Sequence, residues 1–238
     1  MSRTRVLAIV RKEFQDYRRN RYILFTMALI PVIFLLQPLI SLLNLPAAAA
    51  VPISRRHELV YLLGIPALTP AVIAASSVVL ERQQATLEPV LVSPIRREEF
   101  VLAKAIAPFV PGVIASYLIY GLCVVILELF AKPGVAPALL PGSEVLAQVI
   151  FTPLIALWSI WVGIAISTRM SDVRAAQQLC VLANLPLVIL TSLIAFNVIH
   201  ATSGLAFGLG AALLVIDRLG WRFVSALFDR ERLITGSR

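Results

Sequence analysis

Apolar residues in this chain come in blocks too long for a water-soluble core. Residues 23–43 contain no charged side chain, and runs of similar character recur along all 238 residues. A helix of about 20 apolar residues spans the ~30 Å hydrocarbon layer of a bilayer. With 59% hydrophobic and 14% charged residues, the chain holds enough apolar sequence for about six such crossings. That leaves no room for a large extramembrane domain. An outer-membrane barrel is excluded because its strands alternate apolar and polar residues, and these runs do not. The expected fold class is an all-α membrane protein, a single transmembrane domain over residues 1–238.

The spans are expected at about 23–43, 59–80, 105–129, 145–167, 175–199 and 203–222. Residues 1–22 read as an interfacial helix, with Val6, Leu7, Val10, Phe14 and Tyr17 forming a stripe opposite Arg11, Lys12 and Arg19. Its basic region and the apolar run after it are both too long for a signal peptide, so a retained anchor is expected. The sixth span has only 13 apolar residues, 204–216, before Asp217 and Arg218. Two outcomes are open: the helix continues to Phe228 while the charges snorkel, or the segment after Asn197 is broken and re-entrant. In the fifth span, Asn184 with Pro186 marks a kink or a dimer contact, and Gln177 and Gln178 face the cytoplasmic boundary.

Of 21 basic residues, all but Arg55, Arg56 and Lys132 fall at the two termini, in residues 81–104 or in the turn near Thr168. By the positive-inside rule those segments, and both termini, are cytoplasmic. The net charge of +8 is therefore an orientation signal, and no nucleic-acid partner is expected because no continuous basic face with aromatics exists. Cys123 and Cys180 fall near opposite ends of their spans, too far apart in depth for a disulfide, and read as apolar fillers.

Chemistry is conspicuous by its sparseness. Glu128 and Asp217 are expected at span ends, which leaves no acidic side chain at mid-depth and weakens a proton- or sodium-coupled carrier. His57 and His200 sit at outer loops without a credible nucleophile at depth, and no ligand cluster for a metal stands out. None of the three lysines follows a glycine, so the phosphate-loop motif is missing and the chain is not itself an ATPase. No catalytic residue, cofactor or metal site is expected in it.

The informative segment is ERQQATLEPVLVSPIRREEFVLAK, residues 81–104. It is too polar for lipid and too apolar at Leu87, Val90, Leu91, Val92 and Ile95 for a free linker. Two readings suit it equally: a short helix along the membrane that offers side chains to a soluble partner, or an amphipathic loop resting in the headgroups.

Its pattern E-R-x-x-x-T-L-E-x-x-L-x-S-P-I, followed by an acidic pair and a lysine, resembles the cytoplasmic coupling segment of type 2 ABC transporter permeases, the membrane subunits of many bacterial exporters. RKEF at 11–14 ahead of YRRNR, DVRAAQQL at 172–179 and FDRERL at 228–233 support the resemblance. Gln84 and Ala85 depart from it, standing where many relatives carry a glycine.

The resemblance implies a permease in the bacterial plasma (inner) membrane, with a coupling helix between spans 2 and 3, a second permease copy, and two copies of an ATP-binding cassette subunit that bind ATP and magnesium. It implies ATP-driven export of an amphipathic or lipid-like substrate, with Glu81, Arg82, Thr86, Leu87 and Glu88 on or near the ATPase surface. Pro94, Glu98, Glu99 and Lys104 would shape the return into span 3; for Glu98 and Glu99, plain complementation of a helix dipole explains the charges equally well. Alternatives are an ATP-independent carrier or channel and a membrane scaffold. Candidates for a substrate path are Tyr117 and Tyr120, Trp158 and Trp161, each pair about one turn apart at mid-depth, and Asn184; packing is the commoner role of such pairs.

Overall fold

The computed structural model of the protein describes residues 3–43, 57–83, 96–130 and 142–227. Among these, helix is the regular structure and no strand occurs. The helices are α1 (Arg3–Arg19), α2 (Arg21–Leu43), α3 (Gly64–Gln83), α4 (Arg97–Phe130), α5 (Gly142–Ser167), α6 (Val173–Ala195) and α7 (Ser203–Leu227). A 3-10 helix, Glu58–Leu63, leads directly into α3. Six segments are long and apolar enough to cross a membrane: α2, α3 with its lead-in, and α4 to α7. This is the all-α, six-span architecture expected from the apolar runs.

Helix α3 is the hub, contacted by α2, α4, α5 and α6 and almost wholly buried. Lipid offers no hydrophobic drive for helices to associate, so close packing of small residues must supply it. Ala67, Ala71, Ala74 and Ala75 provide that surface on α3. Gly163 of α5 lies so close that a Cβ there would stand 2.7 Å from the Ala71 carbonyl oxygen. Where α3 begins, any side chain at Gly64 would collide with the Phe34 ring of α2.

Prolines inside the spans release carbonyls that hydrocarbon cannot satisfy, and neighbouring helices answer. Pro70 cannot bond the carbonyl of Pro66, and the Ser159 hydroxyl of α5 donates to that oxygen at 3.0 Å. Pro153 likewise frees the carbonyl of Val149, which accepts from the Tyr117 hydroxyl of α4 at 3.0 Å. These two hydrogen bonds tie α5 to its neighbours on both sides. Cys123 and Cys180 are free and fully buried.

Several boundaries differ from the sequence reading. Helix α4 starts at Arg97, not near 105, because Glu99 caps it: the Glu99 carboxylate accepts the Arg96 backbone N–H at 3.3 Å, one half of a capping box. Its 34 residues make about 51 Å of helix, roughly 20 Å more than a hydrocarbon core, and Glu98, Glu99 and Lys104 lie in its first three turns. Helix α6 stops at Ala195, and Asn197 at φ 58° turns the chain. The sixth span is a continuous helix of 25 residues, which settles against a re-entrant element there.

Asp217 consequently lies inside α7, buried, ten residues before the helix ends at Leu227. On α1, Leu7 is exposed and the buried stripe is Val6, Val10, Glu13 and Tyr17, an i, i+4, i+7, i+11 series that carries an acid. Gln177 is also turned inward, its amide directed at the Val72 carbonyl of α3 at 3.4 Å, whereas Gln178 is exposed.

Candidate functional site

The buried stripe of α1 packs on the first turns of α4, where Val6 and Val10 meet Ala103. This contact delivers Glu13 to Lys104. Residue 104 is completely buried, and Glu13 and Glu81 are 3% and 4% exposed, so three charges share an interior that cannot hydrate them. The Lys104 ammonium donates to Glu13 Oε1 at 2.8 Å and to the Ser77 carbonyl at 3.2 Å, and it forms an ion pair with Glu81 Oε2 at 2.9 Å. It also lies 5.5 Å from the Phe100 ring centre.

Glu81 Oε1 accepts from Lys12 at 2.6 Å, which brings in a second ammonium from α1. Two lysines and two carboxylates thus close to a neutral cluster joining α1, α3 and α4. Burial by itself would lower the Lys12 pKa; the hydrogen bond and charge of Glu81 outweigh it, and the pKa is raised. A further clamp runs from Arg5 to the buried Glu99 at 3.8 Å.

The placement of this cluster gives it meaning. In sequence, residues 84–95 lie between Glu81, near the end of α3, and Arg96, which precedes α4 with its Glu99 and Lys104. Both ends of that segment are therefore bolted to α1 and to each other. Thr86, Leu87, Glu88 and Pro94 lie outside the described residues, as does the FDRERL run, and of Arg82 only the backbone is described. Glu98 is exposed at the first turn of α4. The carboxylates of Glu81 and Glu99 are engaged inside the chain, so whatever they contribute to a partner passes through the helices they hold.

The sequence profile of the ABC-2 type transporter family matches residues 4–202. The chain belongs to that family. No curated protein matches it. As an ABC-2 membrane domain it is a transport permease component, of a kind that is generally not catalytic and typically partners an ATPase subunit.

In this permease the candidate path residues do not converge on one surface. Tyr117 is committed to Val149, as above. Trp161 packs edge to face on Trp221 of α7, ring centres 5.7 Å apart, with Gly220 admitting it: a Cβ there would meet the indole at 2.7 Å. Trp158 joins a cluster with Leu63, Ala67 and Leu213. Asn184 is fully buried and donates to the Cys180 carbonyl at 2.8 Å within α6, which excludes its side chain from a contact with another copy. Tyr120 is half-buried, and its hydroxyl has no partner among the described residues.

Sequence reasoning missed a second polar group at the opposite end of the bundle. His57 Nδ1 lies 3.0 Å from Glu144 of α5, and Ser41 of α2 donates to Glu58 at 3.2 Å. Burial lowers the His57 pKa. An acid at the first turn of a span reads as a dipole-complementing surface charge, so nothing in the sequence signalled that Glu58 and Glu144 turn inward.

Proposed function

We propose that this chain is the permease of an ATP-driven exporter, moving an amphipathic or lipid-like molecule by alternating access, with the energy supplied by a separate ATPase subunit. The observation that supports this is the ion cluster at the helix ends that flank residues 84–95 in sequence. A segment that receives force from a soluble partner must be stiffly joined to the helices it moves, and Glu81, Lys104 and Glu13 join it to three of them at once. In this reading Thr86, Leu87 and Glu88, with Arg82, meet the ATPase. Glu81 and Glu99 position the segment's two ends, with Pro94 and Glu98 at the return.

The working unit is a pair of permease copies with two ATPase subunits, in a bacterial plasma membrane, with the termini and residues 81–104 in the cytoplasm. The ATPase subunits carry the ATP and magnesium.

A second reading, an ion-coupled carrier, draws on Asp217. Both of its carboxylate oxygens are buried without a hydrogen-bond partner among the described residues, and an intramembrane acid of that kind is a functional candidate by default. One reconstitution separates the two. With the partner ATPase recovered from native membranes by pull-down of this chain, transport should stop when the phosphate-loop lysine of the ATPase is mutated and should persist after ionophores collapse the ion gradients. Gradient-driven transport by this chain alone, abolished by Asp217→Asn, would replace the first reading with the second.

A further inference from the structure

At the corner where α1 turns into α2, beside the ion cluster, lies a cavity of about 570 Å³. That volume falls within the ~300–1,000 Å³ of ordinary ligand pockets. Its walls carry the acids Glu13, Asp16 and Glu81 and the bases Arg19 and Arg21. Glu13 and Glu81 are already neutralised by Lys104 and Lys12, and Asp16 lies 3.9 Å from Lys12. With the neutral cluster set aside, Asp16 against two arginines leaves one uncompensated positive charge. No ion pair of Arg19 or Arg21 occurs among the described residues.

Three more features of the cavity ask for an anionic oxygen. The Tyr17 hydroxyl, on a side chain 4% exposed, lines it beside the Glu13 carboxylate, and no hydrogen bond of good geometry takes it up among the described residues. Burial, reinforced by the adjacent Glu13 carboxylate, holds this phenol well above its ordinary pKa, so it is present as a donor. The first turn of α2 also lines the cavity through Arg21 and Ile23, and that turn carries no acidic residue to complement the positive end of the helix. Finally, the cavity sits where an interfacial helix meets the root of a membrane span, the depth at which lipid headgroups lie.

We propose that this cavity is a binding site for the phosphate of an anionic phospholipid, with Arg19 and Arg21 gripping the phosphate and the Tyr17 hydroxyl donating to it. Arginine suits this role through its bidentate geometry. The lipid is held against Glu81 and α1, so it stiffens the corner from which residues 84–95 depart. The inference does not depend on the nature of the transport cycle.

The test uses the full chain purified in detergent and titrated with dioctanoyl-phosphatidylglycerol, dioctanoyl-phosphatidylcholine or inorganic phosphate, with bound species counted by native mass spectrometry. The phosphatidylglycerol analogue should bind best. Arg19→Gln with Arg21→Gln should weaken it by on the order of tenfold or more, since each basic group near an anionic headgroup contributes about 1 kcal/mol. Tyr17→Phe should weaken it severalfold, and Arg174→Gln on α6 should leave it unchanged. Should the arginine double variant fail to fold, Tyr17→Phe, which removes a single hydroxyl, decides alone. Unchanged phosphatidylglycerol binding in the variants, or equal binding of the phosphatidylcholine analogue, overturns the site. Inorganic phosphate competing at the same concentration as the lipid overturns its assignment to a lipid.

Discussion

Replacing Lys104 by methionine removes a fully buried ammonium and keeps much of its volume, so the loss is electrostatic more than steric. Glu81 retains Lys12 at 2.6 Å, but Glu13 loses its partner at 2.8 Å and the Ser77 carbonyl loses a donor. A buried charge stripped of its partner costs about 3–5 kcal/mol, and relaxation of Lys12 toward Glu13 places the expected loss near the lower end, ~3 kcal/mol. Unfolding of the purified chain in mixed micelles with increasing dodecyl sulfate, followed by tryptophan fluorescence, measures it. Adding Glu13→Gln to Lys104→Met removes the stranded charge, so the double variant should be more stable than Lys104→Met by about 1–3 kcal/mol. This non-additivity is the decisive quantity. If Lys104→Met and Glu13→Gln each cost less than about 0.5 kcal/mol and their effects simply add, the two groups are hydrated and uncoupled. The argument that residues 84–95 are bolted to α1 through them then fails.

Four further outcomes follow, three from the geometry and one from the distribution of basic residues. The Lys12 pKa is raised above 10.5, so its ion pair stabilises the fold at and below that pH and the benefit is lost as pH rises through the folded-state value; the stability gap between the native chain and Lys12→Met should be flat from pH 7 to about 10 and close above it. Gly163→Val should destabilise the bundle by at least about 2 kcal/mol or prevent its accumulation in membranes, because the new carbons must displace the α3 backbone at Ala71; Ser159→Ala should cost about 1–3 kcal/mol by orphaning the Pro66 carbonyl. For orientation, Ser93→Cys should react with impermeant thiol reagents only from the cytoplasmic side and Gly134→Cys only from the opposite side, and labelling of both from one side would refute the orientation drawn from the basic residues.

What the sequence determined by itself is what the bilayer demands of any chain locally. Six helices follow from apolar run length, since hydrocarbon permits no unbonded backbone and each run must satisfy itself. The segment 81–104 stood out because its polarity breaks that rule between two spans. The family resemblance followed from the order of short motifs along the chain, and the family profile matches residues 4–202, a span that holds all of those motifs but FDRERL.

Tertiary structure alone decided how the polar side chains are spent. Glu13 looked like one more charge on a basic interfacial helix, and only its register against Ala103 of α4 shows that it faces inward to Lys104. Glu81 and Glu99 carried the expected positions, yet their carboxylates close contacts with Lys12 and Arg5, 69 and 94 residues away in sequence, that no local pattern encodes. Nothing in the sequence says where the carbonyls freed by Pro70 and Pro153 find donors, and the hydroxyls that answer them come from other helices. Asp217 looked like the end of a short span because hydropathy counts apolar residues and cannot see that packing buries an acid within α7. In each case the sequence sets what a residue needs, and the partner that meets the need comes from distant chain brought close by the packing of small residues around α3.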